Sequence, residues 1–337
     1  MLYLKNDYSL GAHPRVMEAL EKTNMVHADG YGIDEFCDGA AEVVKHKIGR
    51  EDADVHFLMA GTQTNMTAIA AFLRPHQAVI APETGHICVH ETGAIEATGH
   101  KIIHVPTDDG KIYPEQIDEV MVFHEDEHYV QPKLLYISNS TETGNIYTGA
   151  ELESLKKTCK KHGLYTYVDG ARLAMALTAE GNDLTLMDLP SFADAFYIGG
   201  TKNGILMGEA LIILKESFKE DFRFLLKQRG GMLAKGRLLG VQFEALMKDD
   251  LYFEMGAHAN KMALLLAEGI KKAGYGFAQK PVTNLIFPVF PNELVAELEK
   301  KVMFEGWRKY KNGTSSIRLV TSWGTKEEEV NEFLKMI

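Results

Sequence analysis

The chain has 337 residues, 45% of them hydrophobic and 25% charged, enough apolar surface for one large core and a smaller one. Its net charge of −11, with no long run of Lys and Arg, argues against a nucleic-acid or anionic-membrane surface and favours a small-molecule partner. Three cysteines (Cys37, Cys88, Cys159) match no zinc or disulfide spacing and read as inert core thiols. No basic-then-apolar leader opens the sequence, and no stretch of about 18 apolar residues occurs, so the expected location is the cytoplasm and no membrane is expected as a partner.

In chain order, "DVHFLMAG", "QAVIAPE", "KIIHVPT", "KLLYISNS", "LYTYVDG", "DAFYIGG" and "EALIIL" read as seven strands, several apolar enough to be buried on both faces. Helical segments alternate with them. "TGAELESLKKTCKKHG" predicts a surface helix that opens at Thr148, stops at Gly163 and buries Leu152, Leu155 and Cys159. The class is therefore α/β with a mostly parallel, helix-covered sheet. After "KGRLLGVQFEALMKDD" the order changes: a long helix around "MALLLAEGIKKAG", then "NLIFPVF", a helix near "ELVAELEKKV", "SIRLV" and a last helix. This predicts an N-terminal arm and large domain over residues 1–244 and a small α+β domain over 245–337.

Ligands of open α/β sheets lie beyond the carboxyl ends of the strands, so the residues following each run are the candidates. "AGTQTNMTAIAAFL" predicts a Gly61-Thr62 turn opening a helix, with free N–H groups suited to a phosphate and Met66, Ile69 and Leu73 facing inward. His86 follows the next run; Thr141, Glu142 and Thr143 follow "KLLYISNS"; Asp169 and Arg172 follow "LYTYV". "GGTKNG" then sets Lys202 among glycines at a strand end, where a merely solvated lysine needs no such backbone freedom. Each feature alone is ordinary, but a phosphate turn, a histidine, a strand-end acid and a glycine-flanked lysine in this order describe a pyridoxal 5'-phosphate site. Lys202 supplies the amine for the cofactor aldehyde. Asp169 pairs with the pyridine nitrogen, His86 stacks on the ring, Gly61 and Thr62 take the phosphate, and Arg172 reaches the cofactor edge or a substrate carboxylate.

These residues, with "GGM" at 230–232 and "IRLVT" at 317–321, resemble the low-specificity threonine aldolases, within the β-eliminating lyase group of fold-type-I pyridoxal phosphate enzymes. The likeness runs through essentially the whole chain in order. It implies cleavage of L-threonine or L-allo-threonine to glycine and acetaldehyde, and a homodimer or homotetramer with active sites at the subunit interface. It also implies that Arg172 and Arg318 clamp the substrate carboxylate, that "KNDY", represented by Asn6, lines the pocket, and that Tyr31 belongs to a loop reaching the active site. The chain departs from the family where Asn6-Asp7 replaces Ser-Asp, where Ser140-Thr141-Glu142 replaces Asn-Thr-His, and where Thr201-Lys202-Asn203 replaces Ser-Lys-Gly. The base for the substrate hydroxyl is Glu142, directly or through water, or His86. A transaminase or an eliminating lyase would use the same cofactor residues. A dinucleotide site is poorly supported, because "GYGIDE" follows no strand and does not complete G-x-G-x-x-G.

Overall fold

The computed structural model describes residues 1–337. A short N-terminal strand, β1 (Leu2–Tyr3), precedes β2 (Asp54–Leu58), β3 (Gln77–Pro82), β4 (Ile102–Val105), β5 (Gln131–Ser138), β6 (Tyr165–Asp169), β7 (Ala195–Gly199) and β8 (Glu209–Ile213). The last seven form one sheet in the order β2-β8-β7-β6-β5-β3-β4. Strands β4, β3, β5, β6 and β7 pair in parallel, whereas β8 runs antiparallel to both β7 and β2. Every residue of β3, β7 and β8 is buried, as uninterrupted apolar runs covered by helices on both faces require. The reversal of β8 sets Glu209 opposite Gly199 and Leu58. Its first residue thus joins the carboxyl ends of the parallel strands at one sheet edge.

The helices follow their local chemistry. In Gly149–His162, the Thr148 hydroxyl accepts from the Glu151 N–H while the Glu151 carboxylate accepts from the Thr148 N–H, and Gly163 closes the helix at φ 64°. Leu152, Leu155 and Cys159 are its buried face, as the spacing predicts. In Gly61–Phe72 and its C-cap the expected Ile69 and Leu73 are buried, and the inward face is wider than expected. Asn65, Ala68, Ile69 and Phe72 are buried and Met66 is only half-buried, because the Asn65 amide finds polar partners at the sheet edge.

Helix Leu251–Lys272 leads into β9 (Gly276–Phe277), β10 (Leu285–Ile286), β11 (Pro288–Pro291), β12 (Val302–Met303), β13 (Glu305–Lys309) and β14 (Thr314–Val320). β14 pairs antiparallel with β10, β11 and β13, and helix Glu327–Leu334 closes the chain. The N-terminus departs from the sequence reading: β1 pairs in parallel with β12, and Leu2 and Leu4 enter the core built by Met262, Leu266, Phe290, Leu319 and Phe333. The first residues thus pack with the C-terminal part of the chain, because alternate leucines complete its apolar face. The chain then returns toward the large sheet, which carries Asp7 to the strand ends.

Candidate active site

Asp169, the last residue of β6, is 2% exposed and accepts four hydrogen bonds. Its Oδ1 receives the Tyr197 hydroxyl at 2.6 Å and the Ala171 N–H at 3.0 Å; its Oδ2 receives the Tyr136 hydroxyl at 2.6 Å and the Asn65 Nδ2 at 3.1 Å. Burial alone would raise its pKa, but the His86 charge and the two tyrosine hydroxyls outweigh burial and hold it below the usual carboxylate range. Burial and the Asp169 charge in turn push the Tyr136 and Tyr197 phenols up, so both remain donors. Gly170 follows because no side chain fits: a Cβ there would lie 1.9 Å from the Tyr197 carbonyl oxygen.

His86 opens the short helix His86–Val89 after β3. Its Nδ1 donates to Glu91 Oε1 at 2.7 Å, and the same oxygen receives Asn65 Nδ2 at 2.8 Å. Asn65 accepts from the Tyr167 hydroxyl at 3.0 Å. Burial works against a charged His86, yet the Glu91 bond and the Glu142 and Asp169 carboxylates prevail and raise its pKa.

Arg172 is 5% exposed and is held by Asp7, through Nε at 2.7 Å and Nη2 at 3.1 Å; Asn284 Nδ2 donates to the same carboxylate at 2.9 Å. Burial opposes the Arg172 charge, and Asp7 and Glu142 more than offset it. Its Nη1 is left facing Glu142 Oε2 at 3.9 Å. From "KNDY" it is therefore Asp7 that enters the site. The Asn6 side-chain oxygen closes a local turn, accepting from the Tyr8 N–H at 3.1 Å and from the Ser9 hydroxyl. Arg318 on β14 is 8% exposed, pairs with Glu305 across the β13–β14 ladder, and keeps a buried Nε without a partner. Tyr31 is 47% exposed and contacts Lys227, whose Nζ lies 4.2 Å from the ring centroid, and Arg223, which donates to its carbonyl. None of the residues above touches it within the chain.

Lys202 follows β7 in a loop pinned from below. Gly200 N–H donates to Glu209 Oε2 at 3.0 Å, Gly208 N–H donates to the Thr201 hydroxyl at 3.0 Å, and Asn203 Nδ2 donates to the Tyr252 carbonyl at 2.8 Å. Glu209 is fully enclosed, and burial pushes its pKa up to about 7. The Lys202 ammonium is close enough to act on Asp7, His86 and Glu209.

The set fits pyridoxal 5'-phosphate. Helix Gly61–Phe72 begins with Ala60 at its N-cap and no capping side chain, so the first-turn N–H groups of Gly61 and Thr62 are left to an anion. A Cβ on Gly61 would come within 3.3 Å of the Tyr197 hydroxyl, the group that bonds Asp169, so the phosphate turn and the acid share one wall. Asp169 is a buried anion of the kind that a protonated pyridine nitrogen would need, and Lys202 would supply the amine. Residues 7–292 match the β-eliminating lyase family. The low specificity L-threonine aldolases of Pseudomonas aeruginosa and of a further Pseudomonas strain are 31% and 32% identical to the chain, over 99% and 98% of its length and 96% and 95% of theirs.

The chain belongs to the low-specificity threonine aldolases of the β-eliminating lyase family.

A solved threonine aldolase from Leishmania major matches this aldolase-family fold with a TM-score of 0.98 at 48% identity, covering 99% of this chain and 98% of that one. An aspartate aminotransferase from Thermus thermophilus, 17% identical with a TM-score of 0.74 over 100% and 90% of the two chains, shares the fold-type-I architecture. The sequence reading of this threonine aldolase relative did not single out Asn65, Glu91 or Glu209, and met Asp7 only within "KNDY". Asn65 lies within the quoted "AGTQTNMTAIAAFL", and Glu91 lies five residues after His86. The signal available was a polar residue on the inward face of an otherwise apolar helix.

Proposed function

We propose that the chain cleaves L-threonine and L-allo-threonine between Cα and Cβ, giving glycine and acetaldehyde, with pyridoxal 5'-phosphate as cofactor. The observation that carries this reading is the convergence of Asp169, His86, Lys202 and an unspent arginine edge at the strand ends of a chain similar to threonine aldolases over its full length. Gly61 and Thr62 hold the phosphate, Asp169 keeps the proton on the pyridine nitrogen, His86 packs on the ring, and Lys202 is the covalent anchor. Bound cofactor supplies the sink for the electron pair left on Cα.

Arg318 holds the substrate carboxylate through the edge that carries its unpartnered Nε. Arg172, bound to Asp7 through Nε and Nη2, fixes the floor of the pocket and balances Glu142 with its remaining Nη1–Nη2 edge. The β-hydroxyl proton goes to Glu142. His86 is a poor acceptor in the form that its raised pKa favours, with a proton on both ring nitrogens, whereas the Glu142 side chain is buried at 9% exposure and makes no hydrogen bond. A carboxylate here, in place of the family's histidine, accepts the proton directly while Arg172 steadies its charge.

The working form is a cytoplasmic homodimer or homotetramer. Met25, Val26, Tyr31 and Ile33 expose apolar side chains in one segment, which suits an interface between copies at which Tyr31 serves the site of a neighbour. The test is incubation with both threonine epimers and with serine, with and without 2-oxoglutarate. Acetaldehyde independent of 2-oxoglutarate is expected; 2-oxo acid with ammonia would mean an eliminating lyase, and 2-oxo acid only with the acceptor a transaminase.

A further inference from the structure

We infer that Glu91 and Asn65 are positioning residues that hold His86 in its protonated form and tie it to Asp169, which leaves the hydroxyl proton to Glu142. Only the last clause rests on the aldol-cleavage reading. The Glu91 side chain is 0% exposed. Both of its bonds, from His86 and from Asn65, fall on Oε1, while Oε2 is buried without a partner. A carboxylate with one oxygen bare in the interior is costly, and burial pushes the Glu91 pKa up; what favours its charged form is the hydrogen bonds from His86 and Asn65, the His86 ring being in direct contact with it.

Asn65 makes the pair part of a larger unit. Its two N–H bonds go to Glu91 at 2.8 Å and to Asp169 at 3.1 Å, and its oxygen takes the Tyr167 hydroxyl at 3.0 Å. An amide with both ends committed cannot flip without losing all three contacts. One side chain therefore fixes the carboxylate behind His86 relative to the carboxylate of the cofactor site.

The charges facing His86 agree. Glu91 and His90 come from its own segment, the His90 ring centroid being 5.5 Å away; Glu142 comes from the loop after β5, Asp169 from the end of β6 and Lys202 from the loop after β7. Three carboxylates outnumber His90 and Lys202, so a proton on His86 is favoured, and its pKa is raised in spite of burial. Nδ1–H is spent on Glu91, and Nε2–H is presented to the ligand as a donor.

The test is long-range 1H–15N NMR of histidine-labelled, full-length, cofactor-loaded protein across pH, for wild type, Glu91→Gln and Glu91→Asp. Wild type should show His86 protonated on both nitrogens at neutral pH. In Glu91→Gln, which keeps the size and removes the charge, the His86 midpoint should fall by about one pH unit or more, with Glu91→Asp between the two. Asn65→Ala should lower kcat about tenfold or more with KM little changed. A neutral His86 in wild type at neutral pH, or an unmoved midpoint in the Gln variant, overturns the inference. So does wild-type kcat in Asn65→Ala. If Glu91→Gln does not fold, the Asp variant decides: a His86 midpoint equal to that of wild type, despite the shortened side chain, would likewise overturn it. Acetaldehyde release by wild type is scored separately. Its absence, with the His86 titration moving as stated, would refute the aldol reading and leave the role of Glu91 standing.

Discussion

Replacing Asp169 by asparagine removes one negative charge and one acceptor from a place where four donors converge, and the two losses can be read apart. Whichever way the new amide is turned, its NH2 faces one tyrosine hydroxyl, which can rotate and accept, and one N–H, of Ala171 or of Asn65, which cannot. One unsatisfied buried donor costs about 1–3 kcal/mol, or about 1–4 °C in Tm for a chain of this length. Loss of the charge opposite a protonated pyridine nitrogen is larger: breaking a buried ion pair costs about 3–5 kcal/mol, which is about 10²–10⁴ in kcat. The native carboxylate, with its pKa depressed in the fold, contributes stability that is complete above the unfolded value and is lost as pH falls through the folded one. The variant should lack this acid-side loss. The assay is kcat for threonine cleavage beside a thermal melt and a cofactor titration. A variant with kcat within tenfold of wild type would refute the pairing of Asp169 with the ring nitrogen.

Lys202→Ala should abolish turnover and the borohydride-dependent pyridoxyl tag found by peptide mass mapping without unfolding the protein; a tag on another lysine would displace the assignment. Arg318→Lys should raise KM about ten- to a hundredfold with less effect on kcat, because an ammonium cannot reproduce a planar two-point contact. Glu209→Gln tests the buried acid below Lys202. With a folded pKa near about 7, above its unfolded value, wild type should lose stability as pH rises from about 4 to about 7, by about 3 kcal/mol, and the Gln variant should not; urea melts across that range read the difference.

The sheet was legible because its strands are short, largely apolar runs bounded by turn residues, several of them buried throughout, and the seven runs quoted from the sequence are the seven strands of the large sheet. Asp169, Arg172, His86, Glu142 and Lys202 were legible for a related reason, since each follows such a run. Glu209 was not: "EALIIL" announces a strand but not its direction, and only the antiparallel pairing of β8 brings its first residue to the site. Tyr136, Tyr167 and Tyr197 count as apolar in a strand pattern, although their hydroxyls converge on Asp169 and Asn65. Asp7 is separated from Arg172 by 165 residues, and a contact of that range leaves no local periodicity to detect.

The central claim is that Lys202 and its neighbours break the Cα–Cβ bond of threonine, and NMR of uniformly 13C-labelled L-threonine incubated with the cofactor-loaded protein reads it directly. Glycine and acetaldehyde should appear together in equal amounts, with no labelled 2-oxo acid, and neither should form with Lys202→Ala. Labelled 2-oxobutanoate accompanied by ammonia, with no glycine, would contradict it.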